Sequence, residues 1–141
     1  MRKRFAALVD AAAQATGCQG EAVFSGGSST MLHNAVLGDR FAAQMRAHGL
    51  PDGSPDPAPG SSDMGNVSWL LPTIHPQIAI CGDEVAGHTI EFRDAARTER
   101  ADEVTLLAGI LVAETAIELL AGPGLVDSAW KEFRANAGRP G

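Results

Sequence analysis

The chain has no tyrosine, and its only aromatics are two tryptophans and five phenylalanines among 141 residues. Large aromatic anchors are therefore few, and any core must be assembled mainly from aliphatic side chains. Cysteine is as scarce. Cys18 and Cys81 lie far apart and form no Cys-x-x-Cys pair, which excludes a zinc knuckle and predicts two reduced, mostly buried thiols in a cytoplasmic protein. An excess of positive charge is missing too. Eleven Lys and Arg against 17 Asp and Glu leave a net charge of −6, which excludes nucleic acid as a partner and disfavours anionic lipid surfaces. No apolar run is read as reaching the roughly 20 residues of a membrane span, so no membrane association is expected. No Gly-x-Ser-x-Gly elbow is present, and Gly26-Gly27 lacks the following Gly-Lys-Ser of a phosphate loop, which excludes two common catalytic frameworks. No internal repeat is visible.

What is present is an ordinary globular composition, 45% hydrophobic and 20% charged, of a length that suits one domain and a satellite. Residues 2–15 carry the charge order of a secretory signal, with Ala13-Gln14-Ala15 as a cleavage-like tripeptide. Asp10 and Gln14 interrupt the apolar stretch, and Phe5, Leu8, Val9 and Ala12 recur at helical spacing. The preferred reading is an amphipathic helix over 3–16, ended by Gly17. A short strand is predicted over 21–24, and the polar run Ser25-Gly26-Gly27-Ser28-Ser29 reads as a flexible boundary. Asn34 is placed as the N-cap of a helix reaching His48, with Leu37, Phe41, Ala42 and Met45 as its apolar stripe.

The prolines of residues 51–59 predict an exposed loop. Residues 77–81, an apolar run between Pro76 and Gly82, read as a buried strand covered on both faces. A long helix is predicted over 99–121, with Glu99, Asp102 and Glu103 complementing its dipole and Gly122-Pro123 ending it. Its segment 104–113 is apolar nearly all round, which predicts the most buried helix. A last amphipathic helix is predicted over 126–137, with Val126, Trp130 and Phe133 aligned. This order reads as α/β: a partial mixed sheet flanked by helices.

The residues with chemical potential concentrate between positions 60 and 96. Three ordered motifs stand there: Gly60-Ser61-Ser62-Asp63-Met64-Gly65-Asn66-Val67-Ser68, then Ile74-His75-Pro76, then Gly87-His88-Thr89. Together they resemble the C-terminal catalytic segment of the zinc-dependent metallopeptidase and amidohydrolase family. That family includes aminoacylases, carboxypeptidase G, aminobenzoyl-glutamate hydrolase and, most similar in these motifs, the β-alanyl-lysine dipeptidase branch. The resemblance implies that residues 1–31 are a remnant of the lid domain, a helix plus a strand, and that 32–141 are the C-terminal part of the catalytic domain. It also implies hydrolysis of an amide bond next to a free carboxylate, in a dipeptide or an N-acyl amino acid, with two zinc ions in the complete protein.

On that resemblance His88 is the terminal metal ligand, the single one this chain supplies. A dizinc site needs several carboxylates and imidazoles and a carboxylate base. The His-x-Asp and Glu-Glu motifs that carry most of them in the family are absent from this sequence, so the chain is expected to be inactive alone. Gly60, Ser61, Ser62 and Asp63 are the candidate substrate-binding turn, against the commoner fate of Ser-Ser-Asp as a local cap. His75 is a candidate substrate contact, or a loop histidine shaped by Pro76. His48, in a last helical turn, is explained by the helix dipole, and Asn66-Val67-Ser68 reads as a chance glycosylation acceptor. A homodimer, or pairing with the missing N-terminal part, is the expected association. A non-catalytic binding or assembly module that keeps the fold is the alternative.

Overall fold

Residues 1–51 and 62–138 are described by the structure, a computed structural model. Among them the chain forms α1 (Arg2–Thr16), α2 (Ala35–Ala47), α3 (Met64–Val67), α4 (Ile90–Ala95), α5 (Glu99–Ala121) and α6 (Leu125–Ala137). Most of the loop expected over 51–59 lies outside the described residues, as do Gly60 and Ser61.

Helix α1 ends as its sequence demands. Gly17 takes a left-handed conformation (φ 67°), and the Cys18 N–H donates to the Ala13 carbonyl at 2.9 Å, satisfying a carbonyl at the helix end. No α1 residue is buried. Its apolar side is met by Phe24, which packs edge-on against Phe5 with ring centroids 5.9 Å apart, while the Arg2 guanidinium sits 5.7 Å from the Phe24 ring centre.

Helices α2, α5 and α6 form the packed body. Phe41 and Met45 of α2 meet Leu111 of α5, which is fully buried, and Leu50, Ile74, Ile78 and Leu107 close around them. Burying an aliphatic side chain of this size contributes roughly 1.5–3 kcal/mol, so this cluster supplies much of the adhesion. A polar edge runs beside it. His48 Nε2 lies 2.8 Å from Glu114 Oε2, while Arg40 and Gln44 each donate to the Glu118 carboxylate at 3.1 Å.

The N-terminus of α2 is the most completely satisfied helix end. The Asn34 side chain accepts from the Leu37 N–H, as its sequence position predicts, and donates in turn to the Ala129 carbonyl at 2.9 Å. The two oxygens of Glu132 accept from the Ala35 and Val36 N–H groups at 2.8 and 3.0 Å. The Asn34 N–H itself donates to the Thr73 carbonyl at 3.1 Å. All four initial donors of this helix, the groups that ordinarily lack intrahelical partners, are therefore paired.

The α/β expectation is overturned, because no strand occurs among the described residues. Residues 77–79 take no regular secondary structure and 80–81 bend, and Ile78 and Ile80 are half-buried while Ala79 is exposed. The alternating burial of a strand is there, but among the described residues no segment pairs with its backbone, and a sheet exists only where two strands share hydrogen bonds. Residues 21–24 likewise pair with no strand among the described residues. Helix α5 is also less enclosed than its composition predicts. Ala101, Val104, Leu111 and Thr115 are buried, whereas Leu106, Val112, Ile117 and Leu120 are more than half exposed. An 18-residue window of α5 has a mean hydropathy of 1.9, so by length and composition this helix is apolar enough to cross a membrane, correcting the reading that no such run exists. Cys18 is exposed and Cys81 only half-buried, rather than both being buried; both are free thiols.

Candidate functional site

The first motif folds as a tight turn leading into α3. Ser62 supplies the cap that Asp63 does not, since the Met64 N–H donates to Ser62 Oγ at 3.2 Å and Asp63 makes no side-chain cap bond. The Asp63 side chain stands exposed, with the Ser62 hydroxyl 3.4 Å from its Oδ1. A carboxylate so placed can accept from a ligand, whereas Ser62 is committed to its own turn.

Beyond Asp63 the motif is structural. Gly65 is buried against the Ser29 carbonyl, and a β-carbon there would collide with that backbone. Asn66 bridges to the same segment, its Oδ1 accepting from the Ser29 N–H at 2.8 Å and its Nδ2 donating to the Gly27 carbonyl at 3.3 Å. The fully buried Ser68 hydroxyl donates to the Gly65 carbonyl at 2.7 Å and accepts from the Leu32 N–H at 2.9 Å. The Trp69 indole N–H donates to the Thr30 carbonyl at 2.8 Å. The polar stretch expected to be a flexible boundary is thus tied to the motif from Gly27 onward. Sequence reasoning missed this role for Asn66 and Ser68; Gly65 just before them was the available signal, since glycine permits such close backbone approach.

His75 is exposed beside Pro76 in a segment without regular secondary structure. His88 is exposed in the loop leading into α4 and is the sole non-glycine residue with positive φ among the described residues, at 64°. The sequence credits Gly87 with the flexibility of this loop, but His88 itself adopts the left-handed conformation. Histidine visits that region more readily than most side chains, though it remains uncommon. Thr89 holds the following turn, its hydroxyl donating to the Ala86 carbonyl at 2.8 Å and accepting from the Phe92 N–H at 3.2 Å. The loop thus has a fixed exit, with an imidazole presented outward.

No group of three or more His, Cys, Asp or Glu side chains placed to hold a metal ion occurs among the described residues. His88 has therefore no companion ligands there, and the described residues do not by themselves fit a zinc ion. His48 is drawn away from any such role by Glu114, a partner on α5 that a dipole argument alone does not foresee.

Comparison with known proteins adds the deciding observation. An Xaa-Arg dipeptidase of Homo sapiens is 32% identical to this chain over 131 residues, covering 88% of it and 29% of the human protein. An Xaa-Arg dipeptidase of Mus musculus is 37% identical over 75 residues, 53% of this chain and 17% of the mouse protein. This chain is similar to dipeptidases. The human match, at that extent, takes in the block from Gly60 to Thr89 wherever it begins, so the similarity includes all three motifs. The chain spans less than a third of the length of these curated relatives. No family model matches, and no solved structure does.

Proposed function

We propose that this chain supplies the C-terminal part of a metal-dependent dipeptidase, which hydrolyses the amide bond next to a free carboxylate when the complete protein is assembled. The observation that carries this reading is the similarity to Xaa-Arg dipeptidases over 88% of the chain. Their name makes dipeptides with a C-terminal arginine the first substrates to test. In this reading residues 1–31 belong to a lid and 32–141 to the catalytic domain. His88 contributes one ligand to a zinc site whose other ligands and general base come from outside this chain. The turn at Asp63, together with His75, faces the substrate. The left-handed backbone of His88 supports its part, since strained residues cluster where an exact side-chain position is needed.

The test is to join this chain to the N-terminal portion of an Xaa-Arg dipeptidase and assay Xaa-Arg, Xaa-Lys and N-acyl amino acid substrates with added zinc or manganese. Turnover is expected for at least one of these, and His88→Ala should lower kcat/KM on the order of 100-fold or more, because a lost ligand disturbs the position of the ion and the acidity of its water together. His75→Ala should cost less. Equal turnover with and without His88 rejects the ligand role. Absence of metal-dependent activity on every substrate favours the alternative, a non-catalytic assembly module.

A further inference from the structure

Asn66 is bonded in two directions, and its two ends lead to different parts of the chain. Its side chain holds a segment that precedes α2: Oδ1 accepts from the Ser29 N–H at 2.8 Å and Nδ2 donates to the Gly27 carbonyl at 3.3 Å. Its backbone N–H donates to the Asp63 carbonyl at 2.8 Å. What lies ahead of residue 27 makes this junction matter. Residues 1–24 close on themselves: Phe24 packs on Phe5 and beneath the Arg2 guanidinium, and a β-carbon at Gly20 would come within 3.1 Å of the Val9 and Ala13 side chains. Among the described residues, no hydrogen bond, ion pair or ring contact joins residues 1–26 to any residue from 27 onward. This N-terminal arm is therefore attached through its root at 27–29, and Asn66 is the residue to which that root is bonded. Trp69 and Ser68 bond further along, at Thr30 and Leu32.

We infer that Asn66 is a positioning residue for the reaction proposed above: it sets the Asp63 carboxylate relative to the root of the N-terminal arm. The inference rests on the reading in which Asp63 faces the substrate. Asp63 has little else to orient it. Its side chain makes no cap bond with α3, and its partner is the neighbouring Ser62 hydroxyl at 3.4 Å, so the direction of the carboxylate follows the backbone of the turn that Asn66 closes. The Asn66 amide uses both an acceptor and a donor on residues 27–29. Its plane is thus fixed at two points, and the backbone N–H behind it is fixed with it. Small displacements matter at such a place, because a misplacement of about 1 Å can cost on the order of 100-fold in rate.

The test uses the chain joined to the N-terminal portion of an Xaa-Arg dipeptidase, assayed on Xaa-Arg substrates. Asn66→Ala should raise KM about 10-fold, the worth of one hydrogen bond, with kcat changed less than about twofold, since a group that only holds substrate acts on binding. Trp69→Phe removes the neighbouring bond to Thr30 and spares the link to Asp63, so it should leave KM unchanged. Asp63→Asn should raise KM as well, and in that background Asn66→Ala should add less than about twofold, because residues that act through one another are not additive. Full additivity, or an equal rise from Trp69→Phe, means that Asn66 only supports the fold and overturns the inference. A second readout needs no turnover. In the chain by itself, the NMR resonance of the Asp63 carboxyl carbon should shift on Asn66→Ala and stay in place on Trp69→Phe. An unmoved resonance in Asn66→Ala overturns the inference whatever the activity. If the joined protein hydrolyses nothing while the resonance moves, the dipeptidase reading fails and the hold of Asn66 on Asp63 stands.

Discussion

The turn at residues 62–69 and the loop at 82–89 are both short, polar and glycine-bearing, yet they are held in opposite ways. The turn is tied to residues 27–32 by hydrogen bonds through Asn66, Ser68 and Trp69, with Gly65 allowing the backbones to touch. The loop is held by its own short-range bonds, Val85 N–H to the Gly82 carbonyl and the Thr89 turn at its exit, and its exposed histidine carries an uncommon backbone conformation. Residues of one similarity-bearing block therefore divide into those that build the frame and those left free to meet something else. A buried, multiply bonded side chain has its chemistry already consumed, while an exposed imidazole or carboxylate retains it.

That division can be broken by substitution, with denaturant unfolding of the isolated chain as the measurement. Gly65→Ala should cost most, about 3 kcal/mol, because the new carbon collides with the Ser29 backbone rather than a movable side chain. A loss under ~0.5 kcal/mol, within the range of neutral surface changes, contradicts the close approach. Ser68→Ala should follow, at about 2 kcal/mol, since it strands the Leu32 N–H beside a buried position. If Ser68→Ala proves neutral, the tie between 27–32 and the motif is not a stabilising one. His88→Gly should move stability least and in the opposite sense, a gain of up to ~0.5 kcal/mol as glycine accepts the left-handed conformation freely. A clear destabilisation there means the imidazole makes a contact that holds the loop, and the contrast between the two regions fails.

The helices were legible because their signals are local. Asn34, Gly17 and Gly122 punctuate apolar stripes, and the structure places α2, α5 and α6 within a residue or two of the expected bounds. The short α3 and α4 went unseen, being single turns inside a motif block whose polar residues mask any periodicity. The strand reading of 77–81 failed for a different reason. Alternating Ile78 and Ile80 identify a segment with one covered side, but pairing depends on a neighbour that this segment does not announce. Of the candidate site, the exposure of Asp63, His75 and His88 agrees with availability to a ligand, and Gly60 and Ser61 lie outside the described residues. What sequence could not separate was Asn66 as structural from Asp63 as free, because that depends on a segment more than 30 residues away.

The joint between Asn34 and α6 sets an order of events during synthesis. The acceptor for Ala35 lies 97 residues further along the chain, so the first turn of α2 emerges long before the carboxylate that caps it exists. At translation rates of about 5–20 residues per second, α2 waits roughly 5–20 s with two of its leading N–H groups bound only by water. During that interval Phe41 and Met45 have no α5 to cover them, and the nascent chain presents its future core to solvent and to any chaperone within reach. The same Glu132 that completes the body is thus also the mark of its completion, and ribosome-bound chains halted before α6 should be captured by holdase chaperones while chains released with α6 in place escape them.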